Sequence, residues 1–136
     1  MGRILALDYG EKRIGLALSD PLRIFARPFK VLANGGFANI LEELLSIINE
    51  QEIQLLIVGL PYAIEGGNTP KTEETKAFLN KLKKKLEIPV LGWDERYTTD
   101  EAIAELIKLG YDWRQRRAIQ DAMAATMILK SYLEHQ

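Results

Sequence analysis

Four apolar residues in a row, Ile4-Leu5-Ala6-Leu7, run into a carboxylate, Asp8. No polar residue alternates with them, so both faces of this segment must be covered. It reads as a central strand of a sheet flanked by helices. A carboxylate ending such a strand is costly unless it is paired or bound to a metal. Two more acidic sites share this placement. Asp94-Glu95 closes Val90-Leu91-Gly92-Trp93, and Asp121 lies inside Ile119-Gln120-Asp121-Ala122-Met123-Ala124-Ala125.

The surrounding pattern supplies the rest of a fold. Residues 3–8 and 13–19 read as strands joined by a short turn containing Gly10, which suits a hairpin. A third strand is expected within 24–32, ended by Ala33-Asn34-Gly35-Gly36. Asp20-Pro21 reads as a turn opener between the second and third strands. Ile40, Leu41, Leu44, Leu45 and Ile48 recur at helical spacing, predicting a helix to about residue 51. Leu55-Leu56-Ile57-Val58-Gly59 suits a buried strand. The loop 60–69 carries Gly66 and Gly67 and is placed to close over a substrate. Thr69-Pro70 is an N-cap followed by proline at the first helical position, with Phe78, Leu79, Leu82 and Leu86 on one face of the helix that follows. Pro89 precedes a strand at 90–93. Thr98 and Glu101 form a capping box for a helix ending at Gly110, and a last helix is expected from about 114 to 134.

The order β-β-β-α-β-α-β-α-α predicts an α/β fold. Its five-stranded mixed sheet has an antiparallel β1-β2-β3 meander and flanking helices. The 136 residues are expected to form a single domain, 1–136. No stretch approaches the ~20 apolar residues of a membrane span, and no signal peptide is visible, so a cytoplasmic protein with no membrane partner is expected. Zero cysteines exclude disulfides, thiolate zinc sites and a cysteine nucleophile. A net charge of -1 sets no global basic field, but Lys12, Arg13, Arg23, Arg27 and Lys30 make the first thirty residues basic. Arg114, Arg116 and Arg117 cluster before Asp121. The run Lys81, Lys83, Lys84, Lys85 reads as a solvated helix face.

Taken singly, each acid has an ordinary structural account. Asp8 caps a turn, Asp94-Glu95 pairs with Arg96, and Asp121 pairs with its i−4 neighbour Arg117. Taken together, a hard divalent cation, Mg²⁺ or Mn²⁺, accounts for all three. In projection Ala118, Ala125, Ile128 and Tyr132 fall within about 60° of Asp121, so its carboxylate lies on or beside the apolar face. Ala124 and Ala125 are small enough for that helix to approach the sheet closely. Such a cluster stabilises an in-line phosphoryl displacement. Of Asp94 and Glu95, strand alternation points only one inward.

Four segments together resemble the YqgF family, also called RuvX. They are Leu7-Asp8-Tyr9-Gly10-Glu11-Lys12-Arg13-Ile14-Gly15-Leu16-Ala17-Leu18-Ser19-Asp20, Val58-Gly59-Leu60-Pro61 with Gly66, Asp94-Glu95-Arg96-Tyr97-Thr98-Thr99 with Ala102, and Asp121-Ala122-Met123-Ala124-Ala125 with Ile128-Leu129. They occur in order over nearly the whole chain. The resemblance implies an RNase H-like fold and a metal-dependent nuclease. The family is described both as a Holliday junction resolvase and as a nuclease maturing the 5′ end of the 16S rRNA precursor. By motif position it implies Asp8, Glu95 and Asp121 as catalytic acids and metal ligands. Resolvases of the RuvC type carry two acids in the last motif, where this chain has one.

Expected partners are therefore pre-rRNA or branched DNA and a ribosomal particle, met as a monomer or a homodimer. Lys12, Arg13, Arg96 and Arg117 are placed to meet backbone phosphates. No aromatic stacking platform stands out, so recognition of backbone and shape, with steep salt dependence, is expected. Two readings compete. A strand followed by Asp-x-Gly also opens actin-like ATPases, but these need a second domain for which 136 residues leave no room. A non-catalytic RNA-binding or ribosome-assembly factor would use the same scaffold without the chemistry.

Overall fold

The run Ile4–Leu7 is wholly buried and forms the middle of β1 (Arg3–Asp8). The computed structural model describes residues 2–97 and 117–136, together with 104, 108 and 110; the side chains of 97 and 117–119 fall outside that description. β1 pairs antiparallel with β2 (Arg13–Ser19), which pairs antiparallel with β3 (Ala26–Ala33). On its other side β1 pairs in parallel with β4 (Ile53–Leu60), and β4 with β5 (Val90–Asp94). The resulting five-stranded order is β3-β2-β1-β4-β5. β1, β4 and β5 therefore end at the same edge of the sheet.

Alternation along these strands sends side chains to two cores. Leu5, Leu7, Leu16, Leu18, Leu56 and Val58 meet α1 (Phe37–Glu50) through Ile40, Leu44 and Ile47, and α2 (Pro70–Lys85) through Phe78, Leu79 and Leu82. Ile4, Ala6, Ala17 and Ile57 meet α3 (Arg117–Glu134) through Ala125, Ile128 and Leu129. Each large aliphatic side chain buried this way contributes about 1.5–3 kcal/mol. Where α3 crosses β1 and β2, Ala6, Gly15, Ala17 and Ala125 are small, so helix and strands lie close together there. Trp93 Nε1 donates to the buried Ser131 Oγ at 3.1 Å, tying β5 to α3.

Local chemistry sets the boundaries. Thr69 caps α2 by accepting from the Thr72 N–H, Thr72 Oγ1 accepts from the Thr69 N–H, and Pro70 opens the helix. Lys83, Lys84 and Lys85 fill its last turn, where cations complement the helix dipole. α1 starts at Phe37, three residues ahead of the periodic run, because Phe37 packs on the first core. Asp20 makes a turn as expected, its Oδ1 accepting from the N–H groups of Ile24 at 2.8 Å and Phe25 at 2.7 Å. Apart from 104, 108 and 110, the helix expected from Thr98 to Gly110 lies outside the described residues, and so does the start of the last helix. No described helix is long and apolar enough to cross a membrane.

Candidate active site at the strand ends

Asp8 is the last residue of β1 and, like Ala6 and Ile4, projects to the α3 side of the sheet. Its cross-strand partner on β2 is Gly15. β4 supplies Gly59 at the corresponding place, and β5 leads directly into a 3₁₀ turn, Glu95–Tyr97. That turn decides between the neighbouring acids. Asp94 faces Arg96, whose Nη2 lies 2.6 Å from Oδ2 and whose Nε lies 3.0 Å from each carboxylate oxygen. This pairing holds the Asp94 carboxyl below the usual range. Glu95 instead turns inward over Gly59, where a Cβ would lie 2.6 Å from Glu95 Oε1, and hydrogen-bonds the Asp8 carboxyl.

Burial drives the electrostatics of this pair. Removal from water raises the pKa of Asp8, and Asp121 adds to the rise, while the Glu95 hydrogen bond and Lys71 oppose it. Burial pushes Glu95 up to about 8, and the charge and hydrogen bond of Asp8 push the same way. Two carboxylates in contact cannot both ionise without a cation, so they share a proton near neutrality. Both groups bind protons more tightly folded than unfolded. The Glu95 contribution is full below pH about 4.5 and is lost as pH rises through about 8, and Asp8 adds in the same direction. In EDTA the urea midpoint of the wild type should fall from pH 5 to pH 8.5, by an equivalent of about 2 kcal/mol after allowing for partial solvation. Glu95→Gln should flatten most of that slope; an equal slope in the variant would show that the pair is not its source.

Asp121 approaches from α3. Its carboxylate accepts from Arg13 Nε at 2.7 Å, and Arg13 opens β2. The approach depends on Gly15: a Cβ there would overlap the Asp121 carbonyl carbon and oxygen. The close helix–strand approach expected of this helix is made by Ala125 against Ala6 and Ala17 and, one turn earlier on α3, by Asp121 against Gly15. Among the described residues, no three His, Cys, Asp or Glu side chains converge tightly enough to hold a metal. Asp8 and Glu95 touch; Asp121 stands beside them, held by Arg13.

Next to this cluster, starting at Tyr9 beside Asp8, lies a groove of about 520 Å³. One wall is the β1–β2 turn, Tyr9 to Arg13. The other is the start of α2, with Pro70, Lys71 and Glu74, and Asp121 also lines it. Lys12 and Arg13 therefore line the groove. Arg96 is engaged elsewhere: besides Asp94 it reaches the Ala63 carbonyl at 3.3 Å and lies 5.3 Å from the Tyr62 ring centre. With Thr72 Oγ1 donating to the Pro61 carbonyl at 2.5 Å, it braces the loop that was expected to close over substrate. The Arg117 side chain lies outside the described residues. Lys71 was not singled out from sequence. Its one signal was a lysine at the second helical position, where the helix dipole disfavours a cation.

The RuvX family, described as Holliday junction resolvase, matches residues 2–135. The chain belongs to this family. A relative from Halothermothrix orenii named "Putative pre-16S rRNA nuclease" is 38% identical, with 98% of this chain and 96% of the relative covered. One of the same name from Koribacter versatilis is 39% identical, covering 99% of this chain and 88% of the relative. Among solved structures, Thermus thermophilus RuvC bound to a Holliday junction superposes with a TM-score of 0.66 at 12% identity, over 99% of this chain and 96% of that one. A yeast mitochondrial Holliday junction resolvase gives 0.62 at 12% identity, over 97% of this chain and 78% of that one. At those identities the likeness shows the fold, which is the RNase H-like α/β fold expected of a RuvX-family chain.

Proposed function

We propose that this protein is a metal-dependent nuclease that hydrolyses phosphodiester bonds in maturing the 5′ end of the 16S rRNA precursor. The observation that carries the reading is the half-buried Asp8–Glu95 pair at the ends of parallel strands, next to a groove that begins at Tyr9, carries cations on both walls and is lined by Asp121. Ligands in open α/β sheets bind outside the carboxyl ends of the strands. The relatives' shared name at 38–39% identity supports RNA as substrate. The single acid of the last motif, with Ala124 and Ala125 following Asp121, sets it apart from the two-acid pattern of RuvC-type resolvases. The acting unit is the whole chain, 1–136, working in the cytoplasm on nucleic acid within a ribosomal particle.

A hard divalent cation fits the donor set. Two carboxylates that must share a proton are the kind of ligand pair that Mg²⁺ or Mn²⁺ binds by displacing that proton. Asp8 and Glu95 would hold the ion, and Asp121 would join them once Arg13 turns to a phosphate. A bound ion would supply charge neutralisation at the phosphate and a more acidic water. Asp8 and Glu95 orient the attacking water, whose oxygen bonds to phosphorus as the bond to the leaving sugar oxygen breaks. Lys12 and Arg13 hold the flanking phosphates, with Arg117 as a further contact. Arg96 acts through Asp94 and Ala63, keeping Glu95 on its turn.

The test compares a 5′-extended 16S precursor RNA with a four-way DNA junction, with Mg²⁺, with Mn²⁺ and with EDTA. RNA cutting that requires the ion is expected, falling about 10²-fold or more in Glu95→Gln and less than about 5-fold in Asp94→Asn. Paired, symmetric junction nicks without RNA cutting would assign the protein to resolvase chemistry instead. RNA binding with no cutting in any metal would leave a binding factor.

A further inference from the structure

Lys71 belongs to α2 yet faces the groove together with Gly10, Lys12, Arg13 and Asp121. It is exposed, and it forms no ion pair within 4.0 Å among the described residues. Its charge nevertheless acts on Asp8 and on Glu95 alike. Helix stability does not account for it, because a cation in the first turn opposes the dipole. Nor is its position loose. The Thr69–Thr72 capping box brackets it, Thr72 Oγ1 anchors that turn to the Pro61 carbonyl, and Thr75 Oγ1 donates to the Lys71 carbonyl at 2.8 Å. The first-turn N–H of Thr72 is satisfied by its cap, so what the turn offers to the groove at this position is the ammonium group.

Resting on the nuclease reading above, we propose that Lys71 is a catalytic residue: its ammonium holds the scissile phosphate of the bound strand from the groove wall opposite Lys12 and Arg13. The three cations then divide the work by position. Lys12 and Arg13, on the hairpin wall, hold neighbouring phosphates of the backbone. Lys71, the cation felt by both inward carboxylates, meets the phosphate that those carboxylates address. Charge that develops on the nonbridging oxygens during displacement falls beside a fixed positive group. Lysine suits this as a compact point charge, whereas arginine would present a broader fork.

Single-turnover cleavage of the 5′-extended precursor RNA in Mg²⁺ tests this with wild type, Lys71→Ala, Lys71→Arg and Lys12→Ala. Lys71→Ala should slow the step at saturating RNA by about 30–100-fold with half-saturation changed less than about 3-fold. Lys71→Arg should recover to within about 5-fold of wild type, and Lys12→Ala should instead raise half-saturation. The thermal midpoint of Lys71→Ala should be no lower than wild type, since removing that cation relieves the helix dipole. A rate for Lys71→Ala within about 3-fold of wild type would overturn the proposal, as would a lowered midpoint with no recovery in Lys71→Arg. If wild type binds RNA without cutting it, the nuclease reading fails by itself. Lys71 is then read from binding: a slope of log affinity against log salt reduced by about 0.7 in Lys71→Ala supports the phosphate contact. An unchanged slope, or no RNA binding by wild type, rejects it.

Discussion

Asp8→Asn should reduce phosphodiester cleavage by about 10³-fold or more while RNA binding survives. Asn keeps the shape of the side chain and an acceptor oxygen, but it cannot carry the negative charge that a cation or an attacking water requires. The groove cations Lys12, Arg13 and Lys71 are untouched, so the backbone-binding free energy remains. Folding should not suffer either. The native state raises the pKa of Asp8 through burial, so an uncharged side chain at this place relieves a desolvation cost. The thermal midpoint in EDTA should rise or hold at pH 8. Single-turnover cleavage, RNA affinity and the midpoint together separate loss of chemistry from loss of structure. Cleavage within about 10-fold of wild type, in a folded variant, would remove Asp8 from the chemistry.

Gly15→Ala should have the largest effect on the scaffold. The added methyl group would occupy the space of the Asp121 carbonyl, and the obstacle is backbone, which cannot rotate aside as a side chain can. α3 would have to lift from β2, loosening the core in which Ala17 packs with Ala125 and Ile128. Overpacking of this kind destabilises by about 1–3 kcal/mol, and the upper end is expected here. The same displacement carries Asp121 away from Asp8, and a shift near 1 Å lowers the rate by about 10²-fold. Urea unfolding and cleavage at saturating RNA measure the two effects. A loss of stability below about 0.5 kcal/mol would mean that α3 does not depend on this approach.

The two variants probe different kinds of information. Asp8 could be picked out from sequence because its signal is local: four apolar residues, then an acid, then a turn. The start of α2 was equally legible, since Thr69 and Pro70 carry their structural meaning within three residues. Gly15 was quoted within a motif, but nothing near it says what fills the space above it. The answer is the backbone of a residue more than a hundred positions away, brought there by how α3 crosses the sheet. Asp121 illustrates the same limit. Nothing near it in sequence names Arg13, with which it pairs across a separation of 108 residues.

The sequence by itself determined the strand and helix periods, the caps of α2, the α/β class and the placement of acids at the ends of buried strands. Those follow from backbone sterics and side-chain partition, which act over a few residues. Tertiary structure alone brought the Glu95 carboxyl, on the turn after β5, to Asp8 while Arg96 holds Asp94. It also decided that Arg96 braces a loop while Lys71 faces the groove. Such choices depend on where α2 and α3 settle against the two faces of the sheet. That position is set by the packing of the whole core, which no short window of sequence contains.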